Sequence, residues 1–250
     1  MPTRRAIVFA TVAAAMAAPA KRSSAKAAQP SVPVDFNVPD NACDCHTHIF
    51  GDPSQFPLAA SRVYTPETAS PEEQAALHRA LHIKRVVIVQ PSVYGTDNSA
   101  TLYGLKARGA NARGIAVINE KTADDDLDVM GQAGIRGIRI NLATSRNNDP
   151  AAGRERFQSA IPRMAKLGWH IQIYTNLGVI TAIKDLVLAS PVPVVFDHFG
   201  GAKASLGVAQ PGFSDLVDLL RSGKAYVKIS GAYRSSTQAP EVSGPSRPQP

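Results

Sequence analysis

Only two cysteines occur in the 250 residues, so neither a disulfide scaffold nor a cysteine-built zinc site holds this chain together. They are Cys43 and Cys45, two positions apart. On a strand they would share a face with Cα atoms about 6.5–7 Å apart, and pairing them would strain the backbone. Their expected role is that of small buried hydrophobes. Charged residues are also scarce, at 19% against a typical value of about 25%. With 44% apolar residues a substantial core is available, which excludes disorder throughout. No apolar run is long enough to cross a bilayer comfortably, and no glycine-rich dinucleotide fingerprint is present. The length fits one large domain or two small ones.

The formal charge of +7 invites a nucleic-acid reading. Its distribution argues against one. Arg4, Arg5, Lys21, Arg22 and Lys26 fall within residues 1–28, which hold no acid, and the remainder carries only +2. No basic stripe interleaved with aromatics is left, so no nucleic-acid partner is expected. The same N-terminal stretch reads as an address. A charged start is followed by the short apolar run from Ala6 to Ala18, then by small-residue cleavage candidates at Ala18-Pro19-Ala20 and Ala25-Lys26-Ala27. Thr3-Arg4-Arg5 resembles a twin-arginine export signal. Residues 1–28 are therefore expected to direct export to the periplasm or beyond, and no stable membrane span is expected. The alternative is a tail or an uncleaved anchor, with the protein in the cytoplasm. Residues 29–41 read as a linker.

From residue 42 a rhythm begins. Apolar strands are expected over 42–50, 84–90, 112–118, 135–141, 169–174, 193–197 and 225–230. Helices are expected between and after them at 71–82, 98–108, 124–133, 153–167, 177–189 and 213–222. Continuous apolar strands alternating with amphipathic helices define βαβ units and a parallel sheet. Seven such strands favour an α/β barrel of the (β/α)8 TIM type over an open doubly wound sheet. The rhythm stops near residue 235, where Pro240, Pro245, Pro248 and Pro250 forbid a further helix and strand. The expected layout is thus an incomplete barrel domain over 42–236, lacking its eighth strand and helix, with 237–250 as a disordered tail. Open strand edges would favour self-association.

In a parallel barrel the chemistry sits at the C-terminal ends of strands. Strand one ends in Asp44-Cys45-His46-Thr47-His48, and a period of two puts Asp44, His46 and His48 on one face. Later strand ends offer Ser92, Arg139, Tyr174, Asp197-His198 and Arg234. Each has a plain reading. A lone histidine at a strand end is often a capping residue, Arg139 could be a structural ion-pair partner, and Tyr174 could be packing. His78 and His82, at helical spacing, read as a helix face. His170 begins a strand, at the stability end. Asp197 would point away from His198 along a continuing strand and reads as structural.

His46-Thr47-His48 after a first strand, with His198 after a sixth, resembles the amidohydrolase superfamily. The opening D-C-H-T-H-I-F-G, the Q-P-S segment, G-I-R-G-I-R-I-N and F-D-H-F-G-G are similar to its amidohydrolase-related branch, and within that to the hydrolases of pyrone dicarboxylates. The resemblance spans roughly residues 40–236. It implies that His46, His48 and His198 are catalytic, and that Tyr64, Ser92, Arg139, Tyr174 and Arg234 hold the substrate's carboxylates and carbonyl. Arg146 matches a second carboxylate-binding arginine across a loop of different length. The family's last essential group, an Asp after strand eight, has no counterpart here.

A His-x-His on a barrel strand suggests zinc, which His46, His48 and His198 could hold. Tyr174 is a poor zinc ligand, and the pyrone hydrolases resembled here work without metal, so no cofactor is expected and zinc is the alternative. The expected function is hydrolysis of a small carboxylated cyclic ester by water attack. One alternative is a zinc-dependent amidohydrolase or decarboxylase. Another is an inactive chain that only binds a small acid through Arg139 and Arg234. In each case the partner is a small carboxylate.

Overall fold

The computed structural model describes residues 27–30, 32–144 and 149–237. The expected export segment and C-terminal tail lie outside them, apart from a few flanking residues. So does Arg146. Seven strands form one sheet in chain order: β1 (Cys43–Thr47), β2 (Arg85–Val89), β3 (Ala112–Ala116), β4 (Ile135–Asn141), β5 (His170–Tyr174), β6 (Val194–Phe196) and β7 (Ala225–Val227). Every neighbouring pair is parallel. Parallel neighbours need crossovers, and helices supply them: α1 (Pro71–Ala80), α2 (Ser99–Arg108), α3 (Asp124–Gln132), α4 (Pro150–Leu167), the pair α5 (Leu177–Ala182) and α6 (Lys184–Ala189), and α7 (Phe213–Arg221). A short α8 (Ala232–Ser235) follows β7. This is the incomplete (β/α)8 barrel that the sequence rhythm implied. Among the described residues no eighth strand joins β7 to β1, so each of those strands has one neighbour.

Local signals set the helix starts. Ser70 caps α1 by accepting from the Glu73 N–H, while Glu73 accepts from the Ser70 N–H; this reciprocal box satisfies two otherwise orphaned donors. Asp149 accepts from the Ala152 N–H, and Pro150 occupies the first helical position, where its missing N–H costs nothing. That pair starts α4 three residues before the position expected from its apolar spacing. The helix expected over 177–189 breaks at Ile183.

The core lies between sheet and helices. Ile49, Val86, Ile88, Leu127, Phe157, Ile171 and Phe196 are all essentially inaccessible there. Burial of each such side chain contributes about 1.5–3 kcal/mol.

Strand β1 overturns two expectations. Cys45 is exposed and Cys43 only half-buried, because among the described residues no strand covers the free side of β1. The simple alternation of Asp44, His46 and His48 also fails. Pairing with β2 shifts from Asp44↔Val86 to Thr47↔Ile88, so three steps on β1 match two on β2. One extra residue in a strand is a bulge, which resets side-chain direction. Asp44 therefore leaves the histidines and lies 3.2 Å from His78 Nε2 on α1. His78 lies on the buried face of α1. Thr47 likewise turns outward, its hydroxyl accepting from Gln74 of α1.

Candidate active site

His46, His48 and His198 meet at the C-terminal rim of the sheet. The His46 ring centroid lies 5.1 Å from that of His48 and 4.7 Å from that of His198. Tyr174, at the end of β5, meets His198 edge-on at 5.1 Å. His198 owes its place to a backbone reversal after β6. His198, Phe199, Gly200 and Gly201 all have positive φ, a conformation that costs non-glycine residues about 1–2 kcal/mol each. Hydrogen bonds hold it: Phe199 N–H donates to the Lys228 carbonyl and Gly200 N–H to the Asp197 carbonyl. Gly231 also approaches closely. A Cβ there would sit 2.9 Å from His198 Nδ1.

This reversal corrects the expected direction of Asp197. β6 ends at Phe196, so Asp197 starts the turn and points into the barrel, where it is fully buried. Its Oδ2 accepts from Arg139 Nε and Gln172 Nε2, each at 2.9 Å, and is ion-paired with Arg139 Nη2 at 2.9 Å. Its Oδ1 lies 3.3 Å from His46 Nδ1 and 3.5 Å from Lys228 Nζ. Burial alone would raise the Asp197 pKa, but Arg139, His46 and Lys228 outweigh it and hold the carboxyl far below the carboxylate range. Lys228, just past β7, also donates to Gln172 Oε1 at 2.6 Å.

The imidazoles are kept neutral. Burial pushes His48 well below its ordinary value, with His46 and Arg139 adding to the effect. Burial likewise lowers His46 against the pull of Asp197, and takes His198 down to about 4 despite that same carboxylate. Between about pH 4 and 6.5 the unfolded chain then binds protons that folded His198 refuses. Stability is full above pH 6.5 and drains as pH falls through that window. The urea midpoint is expected to drop between pH 7.5 and pH 5, less steeply in a His198→Asn variant. A flat midpoint would mean that the imidazoles are solvated.

The other sequence-predicted residues fall at different distances from this centre. Arg139 is buried, with part of its guanidinium already committed to Asp197. Arg139 and Arg234 have their guanidinium carbons 5.1 Å and 5.3 Å from the Tyr174 ring centroid. Arg234 also donates to the Tyr174 hydroxyl at 2.8 Å. Ser92 is half-buried in a 3-10 turn after β2. Tyr64 sits exposed on the loop between β1 and α1, and among the described residues no ring contact or hydrogen bond joins it to the histidines. Sequence reasoning missed Asp197, Gln172 and Lys228. An isolated lysine within Ala-Tyr-Val-Lys-Ile was the available signal.

His46, Asp197 and His198 place their ligand atoms within 4.8 Å of one another, close enough to share one ion. The distances fit a metal; the charges do not. The one carboxylate of the set is already matched by Arg139 and faces the Lys228 ammonium, so a dication would meet two cations at contact range.

A parallel barrel carrying imidazoles and a buried carboxylate at its C-terminal rim has the arrangement of a barrel enzyme. Residues 43–249 match the Amidohydrolase family, and the chain belongs to it. The chain is 34% identical to the 2-pyrone-4,6-dicarboxylate hydrolase of Comamonas testosteroni over 216 residues, covering 86% of this chain and 70% of that protein. It is 31% identical to the 4-sulfomuconolactone hydrolase of Rhizobium radiobacter over 206 residues, covering 82% and 69%. Its fold is similar to an Acinetobacter baumannii structure described as a candidate 2-pyrone-4,6-dicarboxylic acid hydrolase with citric acid bound. That match has a TM-score of 0.72 and 26% identity, over 80% of this chain and 74% of the other.

Proposed function

We propose that this hydrolase opens a small cyclic ester bearing two or more carboxylates, without a metal. One observation carries the reading: Arg139 and Lys228 meet a single buried carboxylate, Asp197, beside three neutral imidazoles, and Arg234 adds a further guanidinium at the neighbouring Tyr174. The excess positive charge suits an anionic substrate, and planar guanidinium groups suit carboxylates in particular. The relatives named for a pyrone dicarboxylate and a sulfonated lactone, and the one with citric acid bound, support the same substrate class.

Water would attack the ester carbonyl, and its oxygen would form the new C–O bond. The carbonyl electrons would move onto oxygen, facing imidazole N–H donors. Collapse would break the ring C–O bond. The ring oxygen would leave with a proton derived from the attacking water, yielding an open-chain acid. His48 Nδ1 lies 2.7 Å from the Val89 carbonyl. A carbonyl only accepts, so Nδ1 donates and neutral His48 presents Nε2 as an acceptor for the proton of water.

The test is ring opening of a pyrone dicarboxylate by the full chain, with and without chelator. Turnover unaffected by chelator is expected. Turnover abolished by chelator and restored by zinc would replace this reading with a metal-dependent one. Binding heat without turnover would make the chain an acid-binding protein. Export through residues 1–28 belongs to the same proposal. So does self-association along the bare β1 and β7 edges, where Tyr226 and Ile229 are exposed.

A further inference from the structure

We propose that Lys228 is a positioning residue that sets the tautomer of His46. Lys228 Nζ lies 3.2 Å from His46 Nδ1. An ammonium carries donors and no acceptor, so Nδ1 accepts and the ring proton of neutral His46 resides on Nε2. That Nε2 is buried and has no partner among the described residues. An unpaired buried donor is costly, and here it is left for the substrate's carbonyl oxygen.

Two groups compete for Nδ1. Asp197 Oδ1 stands 3.3 Å away and can only accept, so it would draw the proton to Nδ1 and turn Nε2 into an acceptor. Lys228 opposes that outcome and is itself firmly held. Gln172 donates through Nε2 to Asp197, which fixes its amide so that Oε1 receives the ammonium at 2.6 Å. The Lys228 N–H donates to the Phe196 carbonyl, and its own carbonyl accepts from Phe199. The Val89 carbonyl sets the opposite tautomer in His48. Two adjacent imidazoles thus present opposite polarity, one donating and one accepting, as carbonyl polarisation and water activation require.

The experiment uses the full chain labelled with [15N]histidine at pH 7.5, with His46 assigned through loss of its signals in His46→Asn. The expected result is a proton on Nε2 of His46. Lys228→Met should move it to Nδ1, and Lys228→Arg should keep it on Nε2. A parent His46 protonated on Nδ1, or an unmoved tautomer in Lys228→Met, overturns the proposal. If Lys228→Met does not fold, the parent spectrum alone decides. The kinetic arm rests on the proposed function. Lys228→Met should lower kcat about 100-fold, as loss of a correctly protonated group does, with KM within about threefold and partial recovery in Lys228→Arg. Absence of turnover in the parent would sink the functional reading while leaving the tautomer test intact.

Discussion

Asp197→Asn is expected to cost about 3–5 kcal/mol of folding stability, the usual result of removing one partner from a buried ion pair. The carboxylate is completely buried, and its Oδ2 receives both Arg139 nitrogens and the Gln172 amide. Without its charge, the Arg139 guanidinium and the Lys228 ammonium are left in a poorly solvated interior with no counter-charge. For a domain of this size the melting temperature should fall by roughly 10 °C. The double variant Asp197→Leu with Arg139→Met should be less destabilised than Asp197→Asn, because it removes one of the two cations left without a counter-charge. Melting and urea unfolding of the two variants beside the parent would decide. Asp197→Asn with parental stability would show that water screens the carboxylate and that it organises little.

His198→Asn is expected to lower kcat/KM about 10²–10³-fold, the typical loss for one donor facing a developing oxyanion, while leaving the fold nearly intact. The choice of residue matters. Position 198 has φ of +51°, and asparagine is among the few side chains that enter this region readily. An alanine would combine loss of the imidazole with backbone strain. The imidazole packs on His46 and Tyr174 and bonds Ser230 through Nδ1 at 3.0 Å, a contact that an amide can partly replace. Activity within tenfold of the parent, at unchanged stability, would remove His198 from the chemistry.

Much of the architecture was readable from hydrophobic periodicity. β4 covers the expected residues, starting just after Gly134 and ending at Asn141. The three histidines were readable too, because strand-end histidines are conspicuous. What escaped was decided by strand ends and pairing. β6 and β7 stop at Phe196 and Val227, one and three residues earlier than their apolar content suggests. Alternation therefore aims Asp197, the last residue of its expected strand, away from His198, and Lys228 falls inside an expected strand. In the fold they stand at the rim. The bulge in β1 is likewise invisible to a strict period of two. It sends Asp44 to α1 while His46 stays beside His48, so alternation places the two imidazoles and misplaces the carboxylate. The exposure of Cys45 depends on which strand lies at the edge of the sheet, a long-range fact with no local signature.

His46 and Lys228 stand 182 residues apart in the chain, at the two ends of the sheet. Their hydrogen bond bridges two segments that share no backbone ladder, so the histidine cluster also works as the clasp of the open ring. Whatever lets the two rims drift apart would first detune the imidazole, and a bound anion gripping both sides would draw them together.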